Sequence, residues 1–296
     1  MKDSVFKGVG TAIVTPFNGD GDINFERFEE LIEFQIENDA DAIVVCGTTG
    51  EASTLNVKEF TALTAFCIEK VNHRVPVIVG AGSNDTKKSI MLSKKAKSLK
   101  ADAVLLCTPY YNKTNQEGLI RHFEAICNSV RLPAILYDVP VRTGMRIDIE
   151  TYKRLQEIKN IVGVKEASGD VEYVAKILHA CGDRFDIYSG NDGATVPYMS
   201  LGAKGVISVA SNVIPSQMHD MCKQMRTGNL LRARMLQISF LDLINALFSD
   251  VNPIPVKAAL NIIGFDVGAP RLPLCELSTD KKIMLQRILL GHGIIR

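Results

Sequence analysis

Ile161-Val162-Gly163-Val164-Lys165-Glu166-Ala167-Ser168-Gly169 is the stretch that decides the fold. Its first four residues are apolar without alternation, and the run is too short for a helix. An unbroken apolar run closed by polar and turn residues suits a strand buried on both faces, as in a parallel sheet. Seven similar runs, rich in Val and Ile, recur at 9–14, 42–45, 77–79, 103–106, 134–136, 186–188 and 205–208. Helical spacing fills the gaps. Residues 25–38 carry Phe28, Leu31, Ile32 and Gln35; residues 58–71 carry Leu63, Phe66, Cys67 and Val71. Residues 119–130 carry Phe123, Ile126 and Val130, and residues 86–100 are basic on their outer face. Strand and helix alternating eight times predict a TIM (β/α)8 barrel rather than two doubly wound halves.

Past Gly228 the character changes. A long helical pattern covers 230–247, then comes the turn Asn252-Pro253-Ile254-Pro255, then helical stretches at 256–263 and 280–290. Ala269-Pro270-Arg271-Leu272-Pro273-Leu274 links the last two. The expected organisation is a catalytic barrel domain at 1–227 and a C-terminal helical domain at 228–296.

Composition excludes several classes of function. The 296 residues are 46% hydrophobic and 23% charged, with a net charge of +1. Such a chain has no field to attract nucleic acid or a membrane surface, so neither partner is expected. Seven cysteines at scattered spacing, with no C-x-x-C pair, read as reduced thiols. Met1-Lys2-Asp3-Ser4-Val5-Phe6 lacks the apolar run of a signal peptide, which points to the cytoplasm. His73, His122, His179, His219 and His292 are isolated, so no metal site is expected. Gly80-Ala81-Gly82-Ser83 lacks the third glycine of a dinucleotide fingerprint, and G-x-S-x-G is absent. No cofactor is expected.

In a barrel the chemistry sits where strands end. The candidates there are Gly47-Thr48-Thr49-Gly50-Glu51, Thr108-Pro109-Tyr110-Tyr111, Tyr137-Asp138-Val139-Pro140 with Arg142-Thr143-Gly144, Lys165-Glu166, and Ser189-Gly190-Asn191-Asp192. A desolvated lysine at the top of a strand loses its proton more easily. Lys165 can then attack a ketone and form an imine. By itself it can also be a strand-end lysine paired with Glu166. Tyr137 stands at the end of the adjacent strand, where a phenol can shuttle protons to a carbinolamine oxygen; it can also be a core aromatic. Thr48 and Thr49 lie in a turn that Gly47 and Gly50 can tighten, aiming backbone N–H groups at a carboxylate. Arg142 can grip a second carboxylate, or stand in solvent.

Taken together, Gly47-Thr48-Thr49-Gly50-Glu51, Tyr137-x-Val139-Pro140-x-Arg142-Thr143-Gly144 and Gly163-Val164-Lys165-Glu166-Ala167 resemble the dihydrodipicolinate synthase family. The likeness runs from Gly8 to the Arg271-Leu272-Pro273-Leu274 loop. It implies condensation of pyruvate with aspartate β-semialdehyde in lysine and diaminopimelate biosynthesis. It implies Lys165 as the imine-forming residue, with Tyr137, Thr48 and Tyr111 as a proton relay. It matches Thr49 to pyruvate binding, Arg142 to the carboxylate of the aldehyde, and Gly190 and Ile207 to backbone contacts around the site. Tyr111 would serve a neighbouring subunit, so a homo-oligomer is implied, a dimer at least and commonly a tetramer. The family usually has Asn at Asp138, and a carboxylate beside Tyr137 is expected to raise the phenol pKa or disturb its orientation.

Two rivals are set against this. N-acetylneuraminate lyase, of the same superfamily, holds a sugar acid with an acidic group where this chain has Gly193. A non-catalytic barrel scaffold predicts a missing relay group, and none is missing. Finally, lysine-sensitive members of the family bind lysine in a cleft between subunits, where Val57, Phe60 and Lys88 stand here. An apolar pair and a like charge predict no inhibition by free lysine.

Overall fold

The computed structural model describes residues 4–296, so Met1, Lys2 and Asp3 of the N-terminal reading lie outside the described residues. Eight parallel strands close in sequence order into one barrel. They are β1 (Gly8–Ala12), β2 (Ala42–Val45), β3 (Val77–Gly80), β4 (Ala103–Cys107), β5 (Ala134–Asp138), β6 (Ile161–Glu166), β7 (Asp186–Ser189) and β8 (Gly205–Ser208). Every residue of β1, β2, β5, β6, β7 and β8 is buried, as strands covered on both faces must be.

The crossovers are helical: α1 (Phe25–Glu37), α2 (Val57–Val71), α3 (Thr86–Ser98) and α4 (Gln116–Ser129), then α5 (Pro140–Thr143) and α6 (Ile149–Leu155). The barrel is completed by α7 (Val171–Cys181), α8 (Thr195–Ser200) and α9 (Pro215–Arg226). Five of these starts are set by side chains that accept from the first free backbone N–H groups. Asn24, Asp85, Asn115 and Asp170 do this singly, while Asn56 and Glu59 form a reciprocal capping box.

Two apolar layers result. Phe6, Val44, Ile78, Leu105, Ile135, Val162 and Ile207 fill the barrel interior with the rings of Tyr137 and Tyr188. A larger cluster lies between strands and helices and continues into the C-terminal helices. Those are α10 (Leu230–Ser239), α11 (Leu241–Leu247), α12 (Ile254–Ile262) and α13 (Thr279–Gly291).

Two expectations need correction. The pattern at 230–247 is not one helix, because Phe240, at φ −103° and ψ 9°, ends α10 and starts α11. Apolar spacing resumes across the joint and hides it. Strands β5 and β6 run two residues beyond their apolar runs, through Tyr137-Asp138 and Lys165-Glu166. Polar residues there are buried in the ladder rather than placed after it.

Candidate active site

Ladder register places the two central residues side by side. Tyr137 on β5 pairs with Lys165 on β6, and Asp138 pairs with Glu166. Successive strand residues face opposite ways. Tyr137 belongs to the inner layer with Tyr188 and Ile207. Glu166 goes outward, accepting from the Tyr198 hydroxyl at 2.5 Å and the Ser168 amide at 3.1 Å. Lys165 therefore does not pair with Glu166. Its residue is 6% exposed, its Nζ lies 4.5 Å from the centre of the Tyr137 ring, and it forms no hydrogen bond or ion pair among the described residues. Burial lowers its pKa to about 8; Asp192 opposes the shift and Arg142 adds to it.

Tyr137 is 8% exposed, and its phenol is pushed up to about 12. Burial is the main cause, while the positive Arg142 and a hydrogen bond with Thr48 pull the other way. Thr48 sits in the loop after β2, whose shape differs from expectation. Left-handed backbone occurs at Cys46 (φ 56°) and Glu51 (φ 53°), not at Gly47 or Gly50. A Cβ at Gly47 would meet nothing within 4 Å. The turn is held instead by Glu51 N–H donating to Thr48 O at 3.1 Å and the Thr15 hydroxyl donating to Gly50 O at 2.7 Å.

Thr49 is buried and accepts from Asn252 Nδ2 at 3.0 Å, while Arg142 donates to Asn252 O at 3.2 Å. Asn252 thus joins the two residues expected to bind carboxylates. Sequence reading placed it only in a proline-rich turn, because the signal lies in three dimensions. Thr48, Tyr137 and Arg142 line one cleft of about 500 Å³. The same cleft extends past Tyr110 to Val57, Phe60 and Lys88. Ile207 does not line it and packs in the inner layer with Tyr137 and Tyr188. Gly190 donates to Glu166 O at 2.6 Å, and a Cβ there would come within 2.5 Å of the Ala167 side chain. Close packing of β7 on β6 demands glycine at this point.

Tyr111 is the residue that a single chain does not bring in. It is 92% exposed, adopts φ 67°, and does not line the cleft. Asp138 also departs from expectation. It faces outward, where its Oδ2 accepts from Tyr152 OH at 2.9 Å and Ile147 N at 3.1 Å. Burial pushes its carboxyl up to about 7, but its charge is not among those acting on Tyr137. Strand alternation separates the neighbours that sequence adjacency suggested would interact.

Under the Thr48 loop lies an ionic brace. Lys257 on α12 donates to Glu51 Oε1 at 2.9 Å, Ala269 O at 3.0 Å and Thr15 O at 3.1 Å. Glu51 also accepts from the Arg271 amide at 2.8 Å. Lys257 and Glu51 side chains are each 1% exposed. The seven cysteines are free thiols, and among the described residues no group of three or more His, Cys, Asp or Glu is placed to hold a metal. No helix among the described residues is long and apolar enough to cross a membrane.

Comparisons with known proteins agree along the whole chain. The sequence profile of the dihydrodipicolinate synthetase family matches residues 5–291. The 4-hydroxy-tetrahydrodipicolinate synthase of Clostridium perfringens (strain 13 / Type A) is 48% identical over 292 residues, covering 99% of this chain and all of that protein. The crystal structure of dihydrodipicolinate synthase from Thermotoga maritima superposes with a TM-score of 0.96 at 42% identity, over 99% of this chain and 100% of that one. The chloride-inhibited dihydrodipicolinate synthase of Acinetobacter baumannii, solved with pyruvate, gives 0.96 at 44% identity, over 98% and 99%.

Proposed function

The chain belongs to the dihydrodipicolinate synthetase family, and on that premise we propose that Lys165 is the residue through which it condenses pyruvate with aspartate β-semialdehyde to 4-hydroxy-tetrahydrodipicolinate. The activity is that of a 4-hydroxy-tetrahydrodipicolinate synthase. One observation carries the site assignment: Lys165 is buried in register beside Tyr137, with its Nζ free of hydrogen bonds among the described residues.

The chemistry follows from the groups. Neutral Lys165 Nζ attacks the keto carbon of pyruvate, giving a carbinolamine. Tyr137, hydrogen-bonded to Thr48, supplies the proton on which the hydroxyl leaves as water. The iminium then draws electrons from the neighbouring C–H bond. Loss of that proton leaves an enamine, whose carbon attacks the aldehyde. The amine of the semialdehyde displaces Lys165 as the ring closes. Arg142, at the mouth and anchored on Asn252, meets the carboxylate of the aldehyde. Thr49 and the turn around it meet that of pyruvate, with Gly190 and Ile207 contributing backbone groups.

Exposed Tyr111 is the relay member supplied to a neighbouring copy, so the working form is a homo-oligomer, a dimer at least and a tetramer by likeness to the family. Mixing Tyr111→Phe with Lys165→Ala subunits should restore part of the activity once subunits exchange. The barrel at 1–227 carries the chemistry. Residues 228–296 brace it through Asn252, Lys257 and Arg271. The location proposed is the cytoplasm. A coupled assay offering aspartate β-semialdehyde and N-acetylneuraminate in turn tests the substrate. Turnover of the first alone is expected, and cleavage of the second would overturn it.

A further inference from the structure

One charged oxygen near the site has no explained partner. Asp192 opens the 3-10 turn (Asp192–Ala194) after β7, and its residue is 1% exposed. Its Oδ2 accepts from Val209 N at 3.0 Å and Ala210 N at 3.2 Å, and the Ser208 hydroxyl also bonds the carboxylate. Its backbone oxygen is fixed by Thr195 Oγ1 at 3.0 Å and Gln237 Nε2 at 3.1 Å. Its Oδ1 is buried without a hydrogen-bond partner among the described residues. A carboxylate is seldom held this firmly with one oxygen left bare, because each unpaired buried lone pair costs free energy.

The groups facing Lys165 define what that oxygen can do. Tyr137 from β5 lies against the Lys165 Nζ, and Arg142 from α5 and Asp192 from the turn after β7 are the charges that act on it. Tyr188, the ladder neighbour of Lys165 on β7, is occupied by donating to Phe6 O at 2.8 Å. Asp192 is the one carboxyl in this set; burial raises its own pKa, while the Ser208 hydroxyl, the Val209 and Ala210 amides and positive Lys165 favour the carboxylate. It acts on Lys165 through space, with no hydrogen bond between them. In the free enzyme the partner charge is lost as pH rises past about 8. Once pyruvate is bound the nitrogen becomes an iminium, a fixed cation in a buried site. A preorganised opposite charge stabilises that species without any reorganisation.

We propose that Asp192 is the positioning residue that supplies the counter-charge of the Lys165 iminium. This rests on Lys165 forming the imine, and the test separates the two ideas. Asp192→Asn keeps the shape and the acceptor for the Val209 and Ala210 amides, but removes the charge. The readout is the rate and extent of borohydride-trapped pyruvate adduct between about pH 6 and pH 10, a range that brackets an amine depressed from its ordinary pKa near 10.4. The acid limb should move down by about half a unit to one unit, because the ammonium loses its partner. Pyruvate should bind about tenfold more weakly and kcat should fall about tenfold, with KM for the aldehyde little changed. Ser208→Ala, which loses a hydrogen bond but no charge, should leave the limb in place. A limb and a pyruvate affinity unchanged in Asp192→Asn would overturn the proposal and leave Asp192 as a brace.

If Asp192→Asn does not fold, the chain with native Asp192 answers instead. Aspartate labelled with carbon-13, in an Asp138→Asn, Asp186→Asn background that removes the two other buried aspartates, should give a buried aspartate carboxylate band that changes on pyruvate addition. No change would also overturn the proposal. Absence of any adduct on native Lys165 would sink the parent reading as well.

Discussion

Among the described residues two lysines are buried, and they are built for opposite ends. Lys165 and Lys257 are 6% and 1% exposed, and each ammonium lies over an aromatic ring, at 4.5 Å from Tyr137 and 4.3 Å from Phe17. Burial lowers both pKa values. The difference lies in the acceptors. Lys257 has three, including the Glu51 carboxylate, so its three N–H groups are all used. Lys165 has none among the described residues. A fully hydrogen-bonded ammonium keeps its charge and ties loops together. An unsupported one is poised to become a neutral nucleophile. Burial alone therefore does not set the two lysines apart; the lack of acceptors at Lys165 does, and it supports the role proposed for that residue.

The largest break in this comparison is Lys165→Ala. Steady-state activity should fall by at least about four orders of magnitude, because the covalent route is lost. A few per cent of activity remaining would remove Lys165 from the centre of the account. Next is Tyr137→Phe, which should slow turnover about 10²–10⁴-fold while pyruvate still binds. Near-normal rates would reduce Tyr137 to packing.

A matched pair of methionine substitutions probes stability. Lys257→Met should destabilise by about 3–5 kcal/mol, since it strands the buried Glu51 carboxylate. Lys165→Met should stabilise at neutral pH, by up to about 3 kcal/mol from the depression of the amine to about 8. The sign follows from linkage. Folded Lys165 binds its proton less tightly than the unfolded chain does. Its penalty is fully present below about pH 8 and fades as pH rises toward the ordinary lysine value, so the advantage of methionine should fade with it. Denaturant unfolding of both variants at two pH values measures this, and equal effects of the two changes would erase the distinction. The smallest effect concerns the outer cleft, where Val57, Phe60 and exposed Lys88 line the wall. Free lysine should leave the initial rate unchanged. Clear inhibition at submillimolar lysine would mean the cleft accepts an ammonium.

Much of this was legible in the sequence, for reasons that also mark its limits. Eight apolar runs announced the barrel because strands covered on both faces can hardly be anything but apolar. Lys165 and Tyr137 stood out because each ended such a run, although both belong to the strands. Lys257 gave no sign of burial: it lies in a helical stretch, and its partners Glu51 and Thr15 are distant along the chain. Asn252 was hidden likewise, since its partners Thr49 and Arg142 meet it only once the chain folds back. Asp138 misled because adjacency along a strand means opposite faces.

The most direct test of the central distinction is reductive trapping with pyruvate and borohydride, followed by peptide mass mapping. A pyruvate-derived adduct is expected on Lys165 and none on Lys257. No adduct, or an adduct on Lys257 with Lys165 unmodified, would contradict that distinction.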